Sequence, residues 1–164
     1  MHEIKLTIDG KEVPLTKEQL KVLGIEVKDN PFDRVAKGDL YYRITDYGII
    51  DDFIEAGDYT DQYMYDAVNY FNDDFVAQQV ALHQLLYRKL LKFAYDNECE
   101  DDQPWDCGNR HYHVYYSHAY KIFTTELNYE GKHPGVYFPS PEAAKRAIKE
   151  VIEPFMKEHP DFVW

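Results

Sequence analysis

Two segments of the chain, 67 residues apart, share the pattern of a strand that leads into a capped helix. Residues 69–80 are NYFNDDFVAQQV and residues 136–147 are VYFPSPEAAKRA. The offset aligns three pairs of residues: Tyr70 with Tyr137, Phe71 with Phe138, and Ala77 with Ala144. In each segment the aromatic pair precedes a short polar break, which favours a helix start, and the alanine allows the helix to pack close to a sheet. The pattern predicts a duplicated βββα unit. The alternative is that both segments share only the general form of a strand-to-helix corner.

The N-terminal segment, residues 1–38, has the pattern of a β-hairpin, a short helix and a linker. Apolar and polar residues alternate on both sides of the Asp-Gly pair at 9–10, which is typical of a two-residue hairpin turn. Pro14 cannot donate a ladder hydrogen bond, so we expect the second strand at a sheet edge. Thr16 and Gln19 have the spacing of a capping box, which starts the short helix.

Residues 39–98 and 99–164 are predicted to form the first and second strand–helix units. In the first unit we expect strands over 41–45, 49–54 and 68–71, a polar connection over 57–66 and a long helix over 73–95. In the second unit we expect strands over 111–118, 120–127 and 136–138 and a helix capped by Ser140, with Pro141 in its first position. Pro154 should end or kink that helix. The predicted fold is α+β: the N-terminal hairpin and short helix, then the duplicated unit, with antiparallel sheets packed by two main helices.

The negative charge of the chain is concentrated in its middle third. Residues 46–106 contain 15 acidic and three basic residues, whereas the rest of the chain is neutral, so the whole net charge of −12 lies in this region. Such a field repels DNA, RNA and anionic membranes and attracts basic protein surfaces. Acidic residues also keep a protein surface solvated, which is the simpler interpretation of any single one of them.

Several features indicate a cytoplasmic protein that does not enter a membrane. No apolar run approaches the ~20 residues that cross a bilayer. The first five residues, MHEIK, resemble neither a signal peptide nor a transit peptide. Two cysteines are too few for a disulfide framework.

A metal site is the first chemical candidate, in the segment 99–118. Cys99, Cys107, His111 and His113 are zinc-type ligands, but their spacing fits none of the standard zinc frameworks. Free thiols and half-exposed strand histidines are therefore expected here, with no metal and no cofactor. A small metal-assisted enzyme that uses this segment remains the alternative.

Carboxylate catalysis is the second candidate. Asp51 and Asp52 with Glu55, or the pair Asp73 and Asp74, are residue types that hold Mg²⁺ or transfer protons. Their spacing matches no nuclease or hydrolase pattern, and Asp73 and Asp74 also suit the first turn of a helix. The sequence contains no glycine-rich phosphate loop, nucleophile elbow, dinucleotide fingerprint or basic patch. We therefore expect a protein that is not an enzyme.

A partner-binding surface is the third candidate, because acidic residues alternate with tyrosines in the middle third. Carboxylates spaced along a surface can imitate the phosphates of DNA, and tyrosines supply contact area at a low entropy cost. The predicted partner-binding residues fall into two clusters. They are Asp51, Asp52, Glu55, Asp58 and Asp61 in the first cluster, and Glu98, Glu100, Asp101 and Asp102 in the second.

Most of the chain resembles small accessory proteins that are encoded by phages and prophages of Gram-positive bacteria. The resemblance rests on YYRITDYGIIDD, NYFNDDFVAQQVALHQLLYRKLLKFAYDN, HYHVYYSHAYKIF and GVYFPSPEAAKRAIKEV. These motifs are compositional, so they assign no functional residue. The resemblance implies a phage gene that is expressed in a bacterial cytoplasm, and small acidic phage proteins are often inhibitors of host defence.

The resulting hypothesis is a non-enzymatic inhibitor of a bacterial defence system. In its sharpest form the chain is an anti-CRISPR protein that binds the basic nucleic-acid channel of a Cas effector, without contacting nucleic acid itself. A structural or regulatory phage protein with no defence target is a further alternative.

Overall fold

The N-terminal segment forms a hairpin and one short helix in the computed structural model, which describes residues 5–8, 10–24 and 30–164. Strands β1 (Lys5–Ile8) and β2 (Lys11–Pro14) pair antiparallel, with Ile8 opposite Lys11 across a two-residue loop. Gly10 in that loop has φ +77°, as a primed hairpin turn requires.

Helix α1 (Lys17–Val22) begins at the predicted capping box. The backbone N–H of Thr16 donates to Gln19 Oε1, and the N–H of Gln19 donates to Thr16 Oγ1. The predicted linker, 25–38, lies partly outside the described residues. Its described part, 30–38, contains neither helix nor strand.

The first strand–helix region contains β3 (Leu40–Ile44), β4 (Ile50–Ile54), α2 (Tyr59–Asp66) and α3 (Asp74–Asp96). Strands β3 and β4 form an antiparallel pair, and Asp73 caps α3 by accepting from the N–H of Val76. The strand predicted over 68–71 is reduced to one bridged pair, Tyr42 with Phe71, because Val68 has φ +57° and interrupts the extended chain.

Helix α2 corrects the prediction that 57–66 is an irregular polar connection. Asp58 accepts from the N–H groups of Thr60 and Asp61, while the Asp61 side chain accepts from the N–H of Asp58. This is a capping box in which Asp takes the place of the usual Glu or Gln three residues after the cap. The reciprocal hydrogen bonds start a helix that has only a weak apolar pattern.

The second region contains β5 (His111–Ser117), β6 (Ile122–Asn128), β7 (Tyr137–Phe138) and α4 (Pro141–Ala147). The strands form an antiparallel sheet in the order β6-β5-β7, and Ser140 caps α4 as predicted. A π-helical turn (Ile148–Ile152) joins α4 to α5 (Glu153–Glu158). The wider turn lets the chain accommodate Pro154, which lacks an N–H group and would crowd the preceding turn of an α-helix.

The main hydrophobic core lies where α3 meets the second sheet and the C-terminal helices. Phe138, Ala144, Ala147 and Ile152 are fully buried there, and Phe155 is 1% exposed. The α+β class with small antiparallel sheets is confirmed. Both alanines of the two predicted corners, Ala77 and Ala144, have no exposed surface.

Candidate functional site

A groove of about 540 Å³ lies between the β3–β4 hairpin and helix α3. Aspartates occupy both of its walls: Asp51 and Asp52 belong to β4, and Asp74 begins α3. Apolar side chains line the groove between these carboxylates, and they include Ile50, Leu82 and Leu85. The groove therefore combines negative charge with apolar surface.

The three aspartates of the groove are exposed. Within residues 5–8, 10–24 and 30–164, no ion pair involves Asp51, Asp52 or Asp74. Arg43 lies opposite Asp51 in the β3–β4 ladder, and Arg88 Nη2 lies beside Gly48 at the hairpin tip, so two cations are close to the groove without contacting its carboxylates. Asp74 Oδ1 accepts from the N–H of Phe75, in the first turn of its own helix.

Exposed aromatic and apolar side chains extend the groove at the hairpin tip. Tyr47 is 92% exposed and Ile49 is 62% exposed, and both line the mouth of the groove. Gly48 between them has φ +78°, which permits the tight turn that projects the two side chains. Large exposed tyrosines next to apolar surface are typical of protein–protein contacts.

Two predicted members of the first cluster, Glu55 and Asp61, are buried and do not belong to an acidic surface. Glu55 is 2% exposed and accepts two hydrogen bonds from Arg34, Nε to Oε2 at 3.0 Å and Nη2 to Oε1 at 2.9 Å. It also accepts from Tyr70 Oη at 2.8 Å and from the N–H of Gly57 at 2.8 Å. These bonds, above all those from Arg34, hold the pKa of Glu55 below its ordinary value although burial opposes this.

Asp61 is surrounded by hydrogen-bond donors. It is 5% exposed and accepts from Tyr41 Oη at 2.9 Å and from the N–H groups of Ala56 at 2.8 Å and Gly57 at 2.9 Å. Burial alone would raise its pKa, but the hydrogen bonds outweigh burial and the pKa of Asp61 is lowered. Burial and the bond to Asp61 raise the pKa of Tyr41 to about 12. Asp58 is exposed, but its carboxylate caps α2. Of the five predicted residues of the first cluster, Asp51 and Asp52 are therefore the two exposed ones that do not cap a helix.

The second predicted cluster is also divided between surface and interior. Glu98 and Asp102 are exposed, and Glu100 is half-buried with Oε2 lacking a hydrogen-bond partner in the described chain. The Asp101 side chain is 2% exposed, with Oδ2 at 2.6 Å from His111 Nδ1. Trp105 stacks on the His111 ring, with centroids 3.7 Å apart. The buried pair of Asp101 and His111, covered by Trp105, therefore holds this loop against β5.

His111 corrects the expectation of half-exposed strand histidines, because it is 0% exposed beneath Trp105 and beside Asp101, whereas His113 is half-buried as expected. Cys99 is buried and Cys107 is exposed, and both are free thiols. Burial raises the pKa of Cys99 although Arg146 opposes it, and desolvation together with Glu130 raises the pKa of Cys107. Among the described residues, no three His, Cys, Asp or Glu side chains converge as ion ligands would.

Sequence reasoning missed the contribution of helix α3 to the groove and the origin of the charge that neutralises Glu55. Leu82 and Leu85 belong to the apolar side of α3, and the pattern alone does not distinguish a groove from a core. Arg34 lies in the segment predicted as a linker, 21 residues before Glu55. No local sequence pattern indicated that the two side chains meet.

Comparisons with protein-family models, curated proteins and solved structures find no match to this chain. In the described part of the chain, no helix has the length and apolar character needed to cross a membrane.

Proposed function

We propose that the chain is a non-enzymatic binding protein that holds a basic segment of another protein in the groove between the β3–β4 hairpin and α3. The observation that carries the proposal is the exposure of three carboxylates, Asp51, Asp52 and Asp74, that line an apolar groove and form no ion pair with any residue that the structure describes. These aspartates belong to residues 46–106, where the net charge of −12 arises, and the charge of this region strengthens the attraction of a basic partner.

The groove suits lysine and arginine side chains of a partner. The aliphatic part of such a side chain would pack against Leu82 and Leu85, and the cationic end would meet the aspartates. Tyr47 and Ile49 at the rim would add buried area around these ion pairs. Charge pairs of this kind set the association rate and the choice of partner more than the total affinity.

The partner in this proposal is a basic surface of a bacterial defence protein, inside the cell that carries the phage or prophage. The resemblance to phage accessory proteins directs the choice, and a Cas effector is the sharpest version. A Cas9-type effector holds nucleic acid in a positively charged channel, which an acidic surface could occupy. The chain itself would contact neither nucleic acid nor a membrane.

The same proposal includes an origin by duplication of the βββα unit. Phe71 pairs with Tyr42 of β3, and Phe138 pairs with Tyr112 of β5, so each aromatic corner lies beside the first strand of its hairpin. In each case the helix cap follows the phenylalanine by two residues. Helix α2 has no counterpart in the second unit. Superposition of residues 41–95 on 111–157 in an experimental structure tests this origin, and opposite helix directions would count against it.

The groove is tested with two triple variants that remove equal charge. Asp51→Asn, Asp52→Asn and Asp74→Asn neutralise the groove, while Asp66→Asn, Glu130→Gln and Asp161→Asn neutralise exposed acids elsewhere. We expect the groove variant to bind a purified Cas9-type effector about tenfold more weakly or worse, with DNA cleavage restored, and the control to stay near the parent. Binding by the parent should also weaken as salt rises. Equal behaviour of the two variants would show that the groove has no special role.

A second probe separates the groove from the choice of partner. An oligo-arginine peptide at low salt should bind the parent and the control variant and should bind the groove variant weakly. If the peptide binds in this way but no Cas effector does, the groove is a site for basic segments and the proposed defence target is wrong. If the peptide binds all variants equally, the proposed function of the groove is wrong.

A further inference from the structure

A second cavity, of about 340 Å³, lies between α3, strand β5, the loop before β7 and the C-terminal Trp164. Leu86, Leu90 and Phe138 give it an apolar floor. None of the described residues that line it is Asp, Glu, Lys or Arg, although these four types form 29% of the chain. Its polar groups are mainly imidazoles, from His83, His113 and His133.

We propose that this cavity binds an uncharged, planar heteroaromatic small molecule. The volume lies at the lower end of the range for small-molecule sites, which are typically apolar with a few polar groups. A flat ring would cover the apolar floor and gain about 25 cal/mol for each Å² of apolar surface removed from water. A charged ligand would lose hydration without meeting an opposite charge. Ring heteroatoms, by contrast, can exchange hydrogen bonds with the imidazoles.

The state of His113 supports an uncharged ligand. Burial lowers the pKa of His113, and the neighbouring His133 lowers it too, whereas Glu126 opposes them. The lowered pKa favours the neutral ring. Its Nδ1 lies 2.9 Å from Asn128 Nδ2, and its Nε2 lies 3.6 Å from Glu126 Oε2. When the Asn128 amide donates to Nδ1, the imidazole proton sits on Nε2, where a ligand acceptor competes for it with Glu126, whose side chain is 59% exposed.

The cavity is separate from the acidic groove. The cavity takes His83, Leu86 and Leu90 from α3, whereas the groove takes Gln78, Leu82 and Leu85. At 3.6 residues per turn these two sets fall on different sides of the helix. The proposal thus does not depend on the function assigned to the groove.

Indole is the probe for this cavity, with benzoate and benzylamine as charged comparators. Indole titrated into the full chain should produce saturable NMR shifts at the His113 imidazole and the Trp164 indole. Benzoate and benzylamine should bind about tenfold more weakly or not at all, because no described lining residue carries a charge and the carboxylate of Glu126 beside His113 is largely exposed to water. Absence of saturable shifts with indole, or equal binding of a charged comparator, would overturn the proposal.

Two glycine substitutions provide a matched pair. Gly135 lines the cavity and an added Cβ there meets no atom within 4 Å, while Gly108 lies outside it and an added Cβ there meets Asp106 Oδ1 at 3.4 Å. Neither residue has a positive φ. Gly135→Phe should weaken indole binding about tenfold, whereas Gly108→Phe should leave it nearly unchanged. Trp164→Ala is the second variant, also expected to weaken binding. If both Gly135→Phe and Trp164→Ala bind indole like the parent, the cavity is not the site.

Discussion

Strands β3 and β5 each bury one polar aromatic side chain near their start, Tyr41 at 1% and His111 at 0% exposure. Both rings are stacked: Tyr41 on Tyr70 with centroids 4.1 Å apart, and His111 on Trp105 at 3.7 Å. Each also meets a buried carboxylate, Asp61 in the first region and Asp101 in the second. Each region therefore buries a polar aromatic ring between a second ring and a carboxylate, but the polar groups differ.

The regions differ in how completely those polar groups are satisfied. In the first, Asp61 and the neighbouring Glu55 accept hydrogen bonds on both oxygens. In the second, Asp101 Oδ1 and His111 Nε2 are buried with no hydrogen-bond partner in the described chain. Helix α2 accounts for the difference, because Asp61 lies in its first turn and accepts from the N–H groups of residues 56–58, which lead into the helix. The loop 97–110 provides no equivalent cap. Satisfied buried networks stabilise a fold, and partial ones contribute less.

The largest effect should come from Arg34→Ala in the first region. It leaves Glu55 buried without its cationic partner, so the free energy of unfolding should fall more than in the other variants considered below. Urea unfolding followed by circular dichroism measures this. Arg110→Ala, which removes an exposed arginine, is the control and should change stability by less than about 0.5 kcal/mol. Similar losses in the two variants would show that the Arg34–Glu55 pair is not structural.

Acidification should produce the second largest loss of stability, and this loss should arise in the first region. The pKa values of Glu55 and Asp61 are lowered in the folded state, so their stabilising contribution is complete above the unfolded carboxyl pKa of about 4 and is lost as pH falls through the folded values. The free energy of unfolding should therefore drop below about pH 4. Asp61→Asn should be less stable at pH 7 and should show a shallower drop. Parallel pH profiles of parent and variant would contradict this.

A smaller effect is expected from Asp101→Ala in the second region. The variant loses the bond to His111 but also removes a buried oxygen that has no partner, so the loss should be about 1–2 kcal/mol. Unfolding monitored by Trp105 fluorescence, in a Trp164→Phe background, measures the change where the ring stacks. A loss equal to that of Arg34→Ala would erase the proposed difference between the two regions.

The local elements of the fold follow from short sequence patterns. The hairpin at 9–10, the capping box of Thr16 and Gln19, and the caps Asp73 and Ser140 all depend on residues within three or four positions of one another. The same reasoning failed at α2, because the Asp58 and Asp61 capping box was taken for part of an acidic surface. Of the three aspartates that line the groove, Asp51 and Asp52 were predicted as partner-binding residues, but the groove itself was not predicted, since its second wall comes from α3.

The sequence by itself determined the α+β class, the starts of helices α1, α3 and α4, and the concentration of acidic residues in the middle third. Only the tertiary structure decided which of these acids face solvent. Asp51 lies in β4 and Glu55 directly follows that strand, and both are carboxylic acids. Glu55 is nevertheless buried, because Arg34 and Tyr70 donate to it from distant positions in the sequence. A buried carboxylate needs donors that replace its hydration, and those donors arrive through long-range packing that no local pattern encodes.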